Sequence, residues 1–124
     1  MDMNSPVLEG QHVRLEPLTF SHAGAFYEAT REWSLSREAV NAGIESALRE
    51  QQLGLTIAFA TGDKRSAQVV GGTRYLRICP EHRRLEIGSS WIAKPFRRTP
   101  INTEAKFLML EHAFENLRAL VWSL

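Results

Sequence analysis

The spacing of apolar and polar residues changes several times along this chain, and each change marks an element. Residues 12–18 (HVRLEPL) alternate apolar and polar, the period of a half-buried strand. Thr19 and Ser21 then offer N-cap oxygens for a helix that runs to about Arg31, with Ala23, Phe26, Tyr27 and Thr30 on its inner side. Ser36 caps a second helix over 37–52, where Val40, Ile44, Ala47 and Leu48 recur at helical spacing and Gly54 marks the end. Residues 55–61 (LTIAFAT) are rich in β-formers, and 62–68 (GDKRSAQ) form a polar turn. The next strand covers 69–79. Val70, Tyr75 and Ile78 can share one of its faces only if a bulge intervenes, and Gly71–Gly72 is a natural place for one. A turn at 80–83, a strand over 84–93, a helix over 100–117 and a short strand over 118–124 complete the chain. The third helix is expected to bury Ile101, Ala105, Phe107, Leu108, Leu110, Phe114 and Leu117, and to expose Lys106, Glu111, Glu115 and Arg118.

The order β-α-α-β-β-β-α-β predicts an α+β (α/β) fold. Three consecutive strands imply an antiparallel meander, and the closing strand–helix–strand implies one parallel crossover. The result is a mixed, mostly antiparallel sheet flanked by helices. A length of 124 residues fits one domain, 1–124, with a small core. With 44% hydrophobic and 23% charged residues the chain is globular, and a net charge of +1 does not mark a nucleic-acid partner. Cys79 is the only cysteine, which excludes an intrachain disulfide and fits a buried or strand-end thiol in a cytoplasmic protein. The start MDMNSPVLEG has neither the basic nor the apolar region of a signal peptide, and no apolar run is long enough to cross a membrane. His12, His22, His82 and His112 lie on different elements without metal spacing, and Cys79 adds no companion ligand, so no metal is expected.

The richest stretch is 85–117, LEIGSSWIAKPFRRTPINTEAKFLMLEHAFENL. It reads as a strand, a basic loop and a helix. Proline suits a first helical turn, so Thr99 and Pro100 mark the start, although Asn102 could cap a helix that begins slightly later. Free N–H groups of that turn face a loop carrying Lys94, Arg97 and Arg98, which makes a diphosphate a natural ligand. An ordinary helix start with solvated arginines is the competing reading.

This run resembles the central motif of the GNAT acyltransferases, a strand followed by R/Q-x-x-G-x-G/A and a helix, aligned here on Arg97, Arg98, Thr99, Pro100, Ile101 and Asn102. The flanks Glu86-Ile87-Gly88, Trp91-Ile92-Ala93-x-Pro95-Phe96, Thr103-Glu104-Ala105 and His112-Ala113-Phe114-Glu115 resemble the ribosomal-protein N-terminal acetyltransferase branch. Leu8-Glu9-Gly10, Leu15-Glu16-Pro17-Leu18 and Val70-Gly71-Gly72 resemble that branch too. The resemblance implies acetyl-coenzyme A as co-substrate and a primary amine, a protein N-terminus or a small molecule, as acceptor. It implies that Trp91, Ile92 and Ala93 bind the pantetheine arm, and that Arg97, Arg98, Thr99, Pro100, Ile101, Asn102 and Thr103 hold the diphosphate.

Two departures stand out. Pro100 and Asn102 replace small residues of the motif, and the proline removes an N–H. The family's last helix and strands are also absent, which implies a C-terminally shortened domain. Glu86 is the candidate general base, with a structural carboxylate paired to Arg84 or Arg74 as its alternative. Ser89 and Ser90 could bond substrate or water. The competing functional reading is a shortened domain that binds coenzyme A or self-associates without catalysis. The apolar final strand, with Leu120, Val121, Trp122 and Leu124, implies a homodimer in either case.

Overall fold

The computed structural model describes residues 4–123; residues 1–3 and Leu124, the last residue of the expected final strand, lie outside them. The sheet has six strands in the order β1 (Leu8–Glu9), β2 (Val13–Pro17), β3 (Ile57–Asp63), β4 (Gln68–Cys79), β5 (Arg84–Ile92) and β6 (Leu120–Ser123). Every neighbouring pair is antiparallel except β5 and β6, which run parallel across the expected crossover. Strand β1 adds one element to the expected order. Two residues carry no period of their own, and Leu8 and Glu9 are strand only because they pair with Leu15 and Arg14.

Three α-helices cover the sheet: α1 (Ala23–Ala29), α2 (Arg37–Gln52) and α3 (Pro100–Glu115). Helix α2 keeps its expected bounds because both ends are specified locally. The Ser36 hydroxyl accepts from the Ala39 N–H at 3.0 Å, and Gly54 takes the left-handed conformation just past the end. Helix α1 is shorter than expected. A 3-10 turn occupies Phe20–His22, and the Thr30 hydroxyl bonds back to the Phe26 carbonyl at 2.8 Å before a second 3-10 turn, Arg31–Trp33.

Two cores lie on opposite faces of the sheet. Against α3 pack Val13, Leu15, Ile57, Phe59, Tyr75, Leu85 and Ile87, with Met109 fully buried from the helix side. Against α1 and α2 pack Leu18, Ala58 and Ala60, facing Phe26, Val40, Ile44 and Ala47. The buried stripe of α3 is Ile101, Ala105, Met109 and Ala113, a four-residue repeat that Leu117 continues just past the helix end. Phe107 and Phe114, expected inside, are 60% and 54% exposed because they point away from that stripe. The helix is apolar on several sides, so its pattern did not define the inner face.

Val70, Tyr75 and Ile78 do share one core, and bulges are the reason. The register pairs Thr61 with Gly71 but Gly62 with Val69, which leaves Val70 as the extra residue, one position before the expected glycine pair. A second shift, between Leu76 and Cys79 opposite β5, contains Arg77 at φ 49° and turns Ile78 inward. The glycines have a different use. A Cβ on Gly71 would sit 2.3 Å from the Trp91 carbonyl oxygen, and one on Gly72 would sit 2.7 Å from the Trp91 indole nitrogen. They let β4 and β5 come together under Trp91.

Candidate active site

The site grows from the free half of β5. Strand β6 pairs only with Arg84, Leu85 and Glu86, so residues 87–92 have no strand beside them on that edge among the described residues. Between Gly88 and Trp91 the β5 register against β4 shifts by one residue, and Ser89 takes φ 48°. The bulge turns the Ser90 hydroxyl to the Thr73 hydroxyl, 2.8 Å away, and both serines are exposed. The bulge bends the strand just before Trp91.

The Ala93 N–H donates to the Val70 carbonyl at 2.7 Å, toward β4. Alternation then turns the peptide groups of Ile92 to the open edge. Its carbonyl already accepts from Arg97 Nε at 3.2 Å, which leaves the Ile92 N–H on that side. The Trp91 side chain lies on the α1 face, edge-on to Phe26 at 5.0 Å and to Trp33 at 6.1 Å between ring centroids.

After β5 the chain makes a 3-10 turn, Lys94–Phe96, and then the two arginines diverge. Arg97 is held within the chain: its Nη2 lies 2.6 Å from Glu32, and its guanidinium stacks 5.3 Å above the Trp33 ring. Arg98 takes the left-handed conformation, φ 61°, and its exposed side chain makes no ion pair among the described residues. Thr99 is the N-cap, as expected, and Asn102 lies inside the helix. The Thr99 hydroxyl donates to the Phe96 carbonyl at 2.6 Å and accepts from the Ile101 N–H at 3.4 Å. With Pro100 lacking a donor and Ile101 capped and buried, Asn102 carries the uncapped N–H of the first turn. Thr103, exposed in the following turn, reaches the Thr99 carbonyl through the ordinary helical bond.

Glu104 belongs to the family-like flank 103–105, and its contact explains part of the architecture. Its carboxylate reaches back to the β1–β2 turn and accepts from the N–H groups of His12 at 2.7 Å and Val13 at 2.8 Å. Burial opposes its charge, but the N–H donors of His12, Val13 and Gln11 outweigh burial and hold the group below the usual carboxylate range. A Cβ on Gly10 would lie 2.4 Å from this carboxylate, so glycine makes room for the bond. Glu104 thus ties the start of α3 to the sheet.

Glu86 sits where β5 meets β6. Its partner is neither Arg84 nor Arg74 but Arg77, at 2.7 Å, and Arg74 turns to Glu50 at 3.6 Å. The bulge at Arg77 aims that side chain, and such a bulge leaves no mark in residue spacing. The turn after β4 also groups ligand atoms of Cys79, Glu81 and His82 within 4.8 Å of one another, companions that spacing along the chain had not shown. Arg83 and Arg84 follow them directly. His112, expected on a polar face, is half-buried with its ring against Tyr75.

The acetyltransferase (GNAT) domain family matches residues 12–123. The chain belongs to this family. No curated protein matches it. Solved structures agree with the GNAT assignment. A GCN5-related N-acetyltransferase from Brucella melitensis superposes with a TM-score of 0.81 at 27% identity, covering 94% of this chain and 57% of its own. A protein of T. thermophilus assigned as an acetyltransferase gives 0.79 at 36% identity, covering 94% and 64%. A Salmonella typhimurium enzyme that modifies the N-terminal serine of ribosomal protein L7/L12 shares the fold at 14% identity, with a TM-score of 0.75 and coverage of 86% and 67%. This GNAT domain therefore spans about three fifths of the length of the first two. No helix among its described residues is long and apolar enough to cross a membrane.

Proposed function

We propose that this GNAT domain binds acetyl-coenzyme A and transfers the acetyl group to a primary amine. The observation that carries the reading is the Ile92 N–H turned away from β4, in a strand that runs directly into the capped start of α3 and the exposed Arg98. A pantetheine arm needs a strand edge to bond to, and the Ile92 N–H is oriented for it. A diphosphate needs donors and positive charge, and the Asn102 N–H and Arg98 supply them beside the loop. Arg97 joins when it leaves Glu32.

In the reaction the amine nitrogen attacks the thioester carbonyl, the carbon–sulfur bond breaks, and the amine proton is lost to a base. Glu86 is the proposed base, acting directly or through water, and the coenzyme leaves as its thiol after taking up a proton. Most of the rate would come from holding the two reactants together. The acceptor is proposed to be a protein N-terminus, as in the Salmonella neighbour, or a small amine. The setting is proposed to be the cytoplasm.

The Glu86–Arg77 pair favours a second reading, in which the domain binds the coenzyme without turning it over. Calorimetry with acetyl-coenzyme A, followed by release of free thiol in the presence of an amine panel, separates the two. Binding with thiol release that is lost in Glu86→Gln supports transfer. Binding alone supports the second reading, and no binding at millimolar ligand refutes both.

A further inference from the structure

We propose that the β3–β4 hairpin recognises the 3′-phosphate of coenzyme A, with Arg65 as the direct contact and Lys64 as a supporting charge. The inference rests on the coenzyme reading above and adds a site to it. A cavity of about 730 Å³ separates this hairpin from the start of α3. Asp63, Lys64 and Arg65 line one side, and Phe96, Thr99 and Pro100 line the other. The space is larger than one small anion needs and adjoins the helix turn assigned to the diphosphate. A nucleotide whose diphosphate lies at that turn would extend its ribose into the cavity.

The charges are arranged for a phosphate monoester. The Arg65 side chain is exposed and donates no hydrogen bond among the described residues. The nearby Asp63 bonds into the hairpin, although its carboxylate also attracts the Arg65 charge. That carboxylate accepts from the Ser66 hydroxyl at 2.7 Å and from the N–H groups of Ser66 and Arg65 at 3.3 Å. The Ser66 hydroxyl bond, the two N–H bonds and the nearby Arg65 charge outweigh burial and hold Asp63 below the usual carboxylate range. The hairpin is braced by these bonds while its guanidinium stays available. Lys64 is fixed at the rim by the Gly10 carbonyl at 3.0 Å and by Glu9 at 3.4 Å. A guanidinium binds a phosphate monoester through paired N–H donors, so Arg65 carries the discrimination and Lys64 adds charge.

The test is calorimetry of the full chain with acetyl-coenzyme A and with 3′-dephospho-acetyl-coenzyme A. The wild-type chain should bind the first about tenfold more tightly, the size of one charge-assisted contact. Arg65→Ala and Arg65→Gln should abolish that preference while leaving affinity for the dephospho form within about twofold. Arg83→Ala, in the turn at the opposite end of the sheet, should leave the preference unchanged. Equal wild-type affinity for both ligands would overturn the proposal while leaving the coenzyme reading intact. So would an Arg65 variant that keeps the preference, or one that weakens both ligands alike. Failure of both ligands to bind wild type would overturn the two readings together.

Discussion

Arg97 is the residue on which binding and architecture compete. It is bonded to Glu32 and to the Ile92 carbonyl, and it stacks on Trp33. A diphosphate must draw it away from Glu32. Glu32→Ala removes the competitor, and a partly exposed pair of this kind is worth about 0.2–1 kcal/mol. Acetyl-coenzyme A should then bind up to about fivefold more tightly to Glu32→Ala. Arg97→Ala should weaken binding clearly more than Arg83→Ala does. Titration calorimetry measures both, and looser binding to Glu32→Ala would show that the pair shapes the site. Glu104 makes the second residue-scale prediction. Its carboxyl group is held below its ordinary value in the fold, so its contribution is complete above the unfolded-state value near pH 4.3 and is lost as pH falls through the lower folded value. Glu104→Gln should melt at a lower temperature at neutral pH and lose less stability than wild type on acidification. Parallel melting curves from pH 7 to pH 3 would refute this.

At the scale of the element, the start of α3 decides how well an anion is held. Pro100 gives the helix a rigid first residue but no donor, and Thr99 spends its hydroxyl on Ile101 and Phe96. Pro100→Gly restores one N–H beside the proposed diphosphate. The substitution should lower stability by about 1 kcal/mol or less, through a more flexible unfolded chain. Coenzyme binding should be equal or tighter. Clearly weaker binding in calorimetry would show that the proline's rigidity, and not its missing donor, governs the loop.

At the scale of the whole molecule, the sheet ends on β6, whose outer edge is unpaired among the described residues. Leu120 on that strand is 64% exposed, and the Phe107 and Phe114 side chains stand exposed on α3. An apolar edge strand pairs readily with a second copy, and a two-fold arrangement satisfies both edges at once. A homodimer through this exposed apolar surface is proposed. Leu120→Lys should give a folded monomer, because the side chain is already in solvent and a charged edge resists pairing. Light scattering at micromolar concentration is the measurement. A wild-type monomer there would refute the dimer.

The period of the chain determined most of the elements by itself. Alternation placed β2, helical spacing with Ser36 and Gly54 bounded α2, and Thr99–Pro100 started α3, because each signal is local and needs no partner. The run from β5 into the basic loop and α3 likewise carried the family resemblance, on which the proposed site residues rest. Contacts between distant segments decided the rest. The pairing of Leu8 with Leu15 makes β1 a strand. The bulges at Val70 and Arg77 bring Val70 and Ile78 to one face, and the second aims Arg77 at Glu86. Packing against the sheet selected Met109 over Phe107 as a buried face of α3, although both are apolar. Glu32, 65 positions from Arg97, and Glu104, 92 positions from His12, found their partners only when the chain folded. Such bonds depend on where the backbone returns in space, which residue spacing along the chain does not encode.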